Sequence, residues 1–263
     1  MMRLATDNFR TMVVLGSGNV ATHLARAFSQ RQIKIVQIYS RTLDHARRLA
    51  DEISCLYTNQ LNSLVEADLY LFALSDSAIL EVLQQGEWND KLCVHTAGSV
   101  PMDVFKPFTQ AYGVIYPFQT FSRDVEIDFN QVPFFIEASN KTVEDMLSQL
   151  IGRVSSTVQY ASSQQRLHLH LAGVFACNFV NHMLAIAEQI LLQKNIPLES
   201  LHPLVQETFR KALAISAHKA QTGPAVRNNV EVIQKHIDLL KEKPEWQKIY
   251  TFVSESIYKM YHS

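Results

Sequence analysis

The chain of 263 residues has three cysteines, eight prolines and eight glycines, and each scarcity removes a class of structure. Cys55, Cys93 and Cys177 stand far apart with no paired spacing, which argues against a disulfide framework and against a zinc site. They read as small core residues, and no metal is expected. No Gly- or Pro-rich tract forms a low-complexity linker, and no internal repeat is visible. Charge of one sign is lacking too. The formal net charge is −1, with no basic tail or block of like charges, so nothing looks like a nucleic-acid footprint. The start lacks a long apolar stretch behind a basic region, and no uninterrupted apolar segment approaches the span of a membrane helix. The expectation is a soluble, cytoplasmic protein with neither nucleic acid nor membrane as partner.

Hydrophobic residues are plentiful at 47%, and the length exceeds one ordinary domain, so two domains are expected, over residues 1–158 and 159–263. The densest signal lies near the start. The apolar run Met12-Val13-Val14-Leu15 leads into Gly16-Ser17-Gly18-Asn19-Val20-Ala21 and then into an amphipathic helix marked by Val20, Leu24, Ala27 and Phe28. This is the layout of a dinucleotide-binding strand, turn and helix. Gly16 permits the tight turn, Gly18 lets backbone approach a pyrophosphate, Ala21 supplies the small residue for packing, and the helix start offers free N–H groups. A structural glycine turn in another doubly wound protein is the alternative.

The second strand is expected over Ile33 to Tyr39, and the residues just beyond it select the cofactor. NAD sites usually place Asp or Glu there for the ribose 2′-hydroxyl, whereas this chain reads Ser40-Arg41-Thr42. Arg41 can make a charge-assisted contact with a 2′-phosphate, and Ser40 and Thr42 can donate hydroxyl hydrogen bonds. NADP is therefore expected over NAD. The missing carboxylate also weakens a reading as an S-adenosylmethionine site.

Strand-like and helix-like segments alternate to about residue 155. A helix is marked by Leu43, Ala46, Leu49, Ala50 and Ile53. Further strands are expected at Cys55–Tyr57, Leu69–Leu74, Leu92–Val94, Tyr112–Tyr116 and Pro133–Ile136. The fold class is α/β, a doubly wound Rossmann-type parallel sheet followed by an all-helical C-terminal domain. One long helix is expected over Ser162–Lys194, then helical segments over Leu198–Gln221, Asn229–Lys241 and Pro244–Tyr261.

Several segments carry a resemblance: Gly16 to Ala21, His95-Thr96-Ala97-Gly98-Ser99, Tyr116 to Phe121, and Thr222-Gly223-Pro224-Ala225-Val226-Arg227. The chain resembles a bacterial family of NADP oxidoreductases that joins a Rossmann-like domain to a helical domain of unknown function. That family is related to pyrroline-5-carboxylate reductase, the deazaflavin-dependent NADP oxidoreductases and the 3-hydroxyacid dehydrogenases. The resemblance implies an architecture and a cofactor, but names no substrate. One departure matters. Hydroxyacid dehydrogenases carry a catalytic lysine one turn before the asparagine that corresponds to Asn178, and Val174 stands there here.

Ligands of open parallel sheets bind beyond the carboxyl ends of the strands. There, Leu74 and Ser75 are expected near the nicotinamide-side ribose, and Thr96 beside the cofactor. His95 is the candidate proton donor, or else a histidine satisfied by a neighbouring carbonyl. Tyr116 and Gln119 are candidates for a mostly apolar substrate pocket. Asn178, on the apolar face of the long helix with His182, is a candidate for orienting substrate or carboxamide. Arg227 is a candidate for a substrate carboxylate or phosphate, in the facing subunit if the helical domains pair as a homodimer. The expected function is NADPH-dependent hydride transfer to a small carbonyl or imine. The alternative is a non-catalytic NADP-binding sensor or structural protein.

Overall fold

The structure, a computed structural model, describes residues 10–262. Its centre is a sheet of eight strands: β1 (Thr11–Leu15), β2 (Lys34–Tyr39), β3 (Leu56–Thr58), β4 (Leu69–Phe72), β5 (Leu92–His95), β6 (Ala111–Pro117), β7 (Phe134–Ala138) and β8 (Val158–Tyr160). They lie in the order β3-β2-β1-β4-β5-β6-β7-β8. Every pairing is parallel except β6 with β7.

Four helices cover the sheet: α1 (Asn19–Gln30), α2 (Leu43–Ile53), α3 (Asp76–Gln85) and α4 (Lys141–Gly152). Strand alternation sends Met12 and Val14 into one core with Leu24, Phe28, Leu49 and Leu147. It sends Val13 and Leu15 into the other, with Phe72, Ile79, Leu83, Trp88 and Phe105. Both faces being covered, the central strands are continuous apolar runs, each large side chain contributing about 1.5–3 kcal/mol by its burial. The strand order reverses between β1 and β4, so the crevice beyond their carboxyl ends is where a ligand is expected.

Three details differ from the sequence expectation. The strand within the Leu69–Leu74 run ends at Phe72, with Ala73 N–H still donating to Leu15 O of β1 at 2.8 Å. The edge strand β8 has no counterpart in the expected strands, since Val158-Gln159-Tyr160 is short and mostly exposed. The segment from Leu198 does not run unbroken to Gln221: Ser216 adopts φ 78°, dividing α7 (His202–Ile215) from α8 (Ala217–Ala220).

The chain divides into two compact units, with the division between Asn178 and Phe179. The first ends in α5 (Ser163–Gly173), begun by a reciprocal cap in which Ser162 Oγ accepts from Gln165 N–H and Gln165 accepts from Ser162 N–H. One widened π-type turn, Val174–Phe179, comes before α6 (Val180–Leu192). Counted as thirty residues from Ser163 to Leu192, this stretch has a window of mean hydropathy 1.4 and is long and apolar enough by length and composition to cross a membrane. The sequence expectation required an uninterrupted run, and His168, His170, Asn178 and His182 interrupt this one. The same pattern arises in a helix that buries its apolar face against protein.

The second unit holds α6, α7 and α8, then α9 (Val230–Leu239), capped by Asn229, and α10 (Pro244–His262). Among the described residues of this unit Ala225 alone is buried. Leu213 is 87% exposed, Leu239 79% and Phe252 72%.

Candidate functional site

The turn after β1 has the form a dinucleotide needs. Gly16 adopts φ +126°, and a Cβ there would lie 2.1 Å from the Ala73 carbonyl oxygen, so no other residue fits. Gly16 N–H donates to Tyr39 O at 2.8 Å, and Ser17 Oγ to Ser40 Oγ at 3.0 Å, tying the ends of β1 and β2 together. Gly18 is different. A Cβ there meets nothing within 4 Å, so the space over it is open. As the residue before α1 it provides no side-chain cap, and the first turn carries no acidic residue. The free N–H groups and the positive end of the helix dipole are left for an anion. These residues fit a pyrophosphate.

From Gly18 a cleft of 620 Å³ runs along the carboxyl edge of the sheet. Asn19 and Val20 form one wall, and Asn19 Nδ2 donates to Phe121 O at 2.9 Å, joining α1 to the loop after β6. Leu74, Ser75 and Asp76 come from the end of β4, and Thr96, Ala97 and Gly98 from the end of β5. Tyr116 to Phe121 supply aromatic walls, and Gly173, Val174, Cys177 and Asn178 face it from α5 and the widened turn. Asp76, which accepts a hydrogen bond from Ser99 Oγ, is the one carboxylate on this lining, and no lysine or arginine is among the described residues there. Cys177 is thus a lining residue and exposed, not the core residue its spacing suggested.

Tyr116 OH lies 3.2 Å from His170 Nδ1, both on the cleft. Burial raises the Tyr116 phenol above its ordinary value, against a smaller lowering by the Arg166 guanidinium, so it keeps its proton at neutral pH. Gly98 makes room for the imidazole: a Cβ there would stand 2.7 Å from His170 Nδ1 and 2.9 Å from its Cβ. Sequence reasoning passes over His170. His168 bonds only its own helix, Nδ1 to Gln164 O at 2.8 Å, because residues two apart point to opposite sides of a helix.

His95, the sequence candidate for proton donor, is placed elsewhere. Its side chain is fully buried beside Phe105, and its Nδ1 accepts the Ala97 N–H at 3.1 Å. It does not line the cleft. Burial first, and the Arg166 charge second, push its pKa down to about 3, partly offset by the Pro101 carbonyl. The imidazole is neutral in the fold and titrates near 6.5 when unfolded, so as pH falls below that value the unfolded chain binds the extra proton and stability declines. Replacing His95 with Gln should flatten the loss in urea-unfolding midpoint between about pH 7.5 and 5.5; an unchanged slope would mean another group carries it.

Arg166 and Glu137 are invisible to sequence reasoning. Arg166 is 1% exposed, yet its guanidinium donates to Glu137 Oε2, to Val100 O at 2.6 Å, to Ala97 O at 3.2 Å and to Ser163 Oγ at 3.2 Å. Glu137 Oε1 also accepts the Ser163 N–H at 2.8 Å. The first turn of α5 is thereby fastened to β7 and to the loop that carries Gly98. The only signal in the sequence is the Ser162-x-x-Gln165 cap that starts the helix.

The remaining candidates separate into places. Leu74, Ser75, Thr96, Gln119 and Asn178 line the cleft with Gly18, Asn19 and Val20. Gln119 turns its Oε1 to Thr120 N–H at 2.8 Å. Ser40, Arg41 and Thr42 lie at the end of β2, Thr42 as the residue before α2. Arg227 is exposed in the second unit, in the turn before α9, and His182 is exposed in α6. Among the described residues no cluster could hold a metal ion.

Sheet order, glycine turn and cleft define a Rossmann-type dinucleotide-binding protein with a helical extension. Residues 11–98 match the family described as "NADP oxidoreductase coenzyme F420-dependent", and residues 132–257 match a domain of unknown function, DUF2520. A Bacteroides fragilis protein solved as a "putative NADP oxidoreductase" is 43% identical over 95% of this chain and 98% of its own, with a TM-score of 0.91. The chain belongs to that family of NADP oxidoreductases. An Aspergillus terreus reductive aminase, solved with NADPH and ethyl-5-oxohexanoate, is 15% identical over 96% of this chain and 95% of its own, with a TM-score of 0.68. A Myxococcus stipitatus imine reductase, solved with NADP+, is 17% identical over 95% and 92%, with a TM-score of 0.64. These two show a shared fold. No curated protein matches the chain.

Proposed function

We propose that the chain uses NADPH to reduce a C=O or C=N bond of a small molecule in this cleft. The observation that carries the reading is the continuity of the open space over Gly18 with an aromatic pocket holding a protonated phenol paired to an imidazole. The reductive aminase and imine reductase neighbours, which bind NADPH or NADP+, support it by fold.

In this reading the α1 N-terminus holds the pyrophosphate, and Ser17, Ser40, Arg41 and Thr42 hold the adenosine ribose and its 2′-phosphate. Leu74, Ser75 and Thr96 flank the nicotinamide half, Gln119 and Asn178 orient the substrate, and the aromatic loop excludes water. A dihydronicotinamide held there would supply a hydride to the electrophilic carbon. For a ketone or neutral imine, Tyr116 OH would donate the single proton that accompanies the hydride, and a solvent proton relayed through His170 would restore the phenol; an iminium would need the hydride alone. A lining with no described cation favours a substrate group that is neutral or positively charged, such as a ketone or an iminium.

Tryptophan-to-nicotinamide fluorescence, with Trp88 buried under the sheet, can follow titrations with NADPH and NADH. NADPH should bind more tightly, and Arg41→Ala should weaken it about ten- to a hundredfold while sparing NADH. No binding of either nucleotide would remove the reading. Val174, which lines the cleft where the hydroxyacid dehydrogenases have lysine, favours the second reading, a non-catalytic NADP sensor. NADPH binding without turnover across ketone and imine panels would select it.

We infer also that the helical unit pairs with a second copy of the chain. A unit whose described residues bury only Ala225, and which leaves Leu213, Leu239 and Phe252 bare, needs a cover in water. A second copy is the partner always present in equal amount. Light scattering behind gel filtration should return twice the 29.9 kDa chain mass, and a monomer at micromolar concentration would refute the pairing. The three free thiols accord with a reducing, cytoplasmic location.

A further inference from the structure

Arg41 stands where the proposed 2′-phosphate would sit, and it is not alone there. Its Nη1 lies 4.0 Å from Glu81 Oε2, the side chains being 71% and 51% exposed. The two come from different elements, Arg41 from the end of β2 and Glu81 from the second turn of α3. Tyr39, at the carboxyl end of β2, registers both: burial raises its phenol, Arg41 lowers it and Glu81 raises it. Asp44 Oδ1 is 3.2 Å from Arg47 Nη2, and Gln85 Nε2 reaches Glu81 Oε1 at 3.5 Å. Among the described residues, Glu81 is the carboxylate that meets Arg41.

We propose that Glu81 is a specificity-determining residue that limits the preference for NADPH over NADH by holding the guanidinium that the 2′-phosphate must recruit. The inference rests on the NADPH reading of the site. A phosphate monoester carries about −1.5 to −2 charge at neutral pH, so on arrival it must draw Arg41 from Glu81 while resting near a like charge. NADH brings a neutral hydroxyl to the same place and meets neither cost. Glu81 therefore acts on one nucleotide and is silent to the other. Both groups are solvated, so the effect is modest and shrinks as salt screens it.

The test is direct titration of NADPH and NADH into the wild-type full chain, Glu81→Gln, Arg41→Ala and the double variant, at low ionic strength and again at about 0.5 M salt. Glu81→Gln should tighten NADPH by about two- to fivefold and leave NADH unchanged, with the gain lost in high salt. In the Arg41→Ala background the gain from the same substitution should shrink, since only the repulsion between like charges then remains. Unchanged NADPH affinity in Glu81→Gln overturns the proposal, as does an equal shift for both nucleotides or equal tightening without Arg41. A wild-type chain that binds neither nucleotide fails the cofactor reading itself and takes this proposal with it.

Discussion

Replacing Glu137 with Ala should cost about 3–5 kcal/mol of folding stability, because it strands a guanidinium that has no route to solvent. Arg166 is 1% exposed, and of its partners only Glu137 carries the opposite charge. Ala97 O, Val100 O and Ser163 Oγ satisfy its remaining donors but cannot neutralise it. Glu137→Ala also deprives the Ser163 N–H and hydroxyl of their acceptor, at 2.8 Å each, which unfastens the first turn of α5. Arg166→Met with Glu137→Leu should recover much of the loss, since a well-packed apolar pair avoids the desolvation altogether. Urea unfolding of the single and double variants checks this. A single-variant loss below about 1 kcal/mol would mean that the pair behaves as a solvated one.

Replacing Tyr116 with Phe should lower the turnover number about a hundred- to ten-thousandfold for whichever ketone or imine the wild type accepts, with NADPH affinity unaltered. Phe keeps the ring that packs near Phe118, with centroids 6.1 Å apart, and removes only the proton. His170→Ala should lower turnover too, and the double variant should be no slower than the worse single one, because the two groups pass one proton. Additive losses would separate them. Full activity of Tyr116→Phe would return the donor to another group. His95→Gln should affect stability and its pH dependence rather than turnover, since the imidazole is sealed away from the cleft.

The glycine turn and the central strands can be read from the residues because each states its own environment. Gly16-Ser17-Gly18 comes after a run that is apolar at every position, and only a sheet covered on both sides buries such a run in so few residues. β8 cannot be read, because Val158-Gln159-Tyr160 owes its strand form to pairing with β7 and has little burial of its own. The start of α5 is legible through its cap, but the widened turn at Val174–Phe179 is not, since an i→i+5 turn leaves no mark in a 3.6-residue pattern.

The site is legible where backbone sets it and illegible where side chains meet across the fold. Tyr116 and His170 are 54 residues apart and share nothing in sequence that pairs them. Arg166 looks like a solvated helix residue, and Glu137 is followed in its strand by Ala138, so their burial exists only after β7 is in place and α5 has been laid over it. His95 misleads because residue type and position at a strand end suit a donor, while its depth depends on Phe105 closing over it.

The stretch from Ala97 to Val100 serves two purposes at once. Its carbonyls anchor a buried charge, and between them Gly98 leaves a hollow the width of one methyl group, in which the root of His170 rests. Any methyl added at position 98 must evict the imidazole or lift a loop that Arg166 pins down. Change at this end of the cleft is therefore held in check by the same fastening that keeps the fold intact, and the proposed Tyr116–His170 pair would vary at position 170 or 116 before the loop could vary.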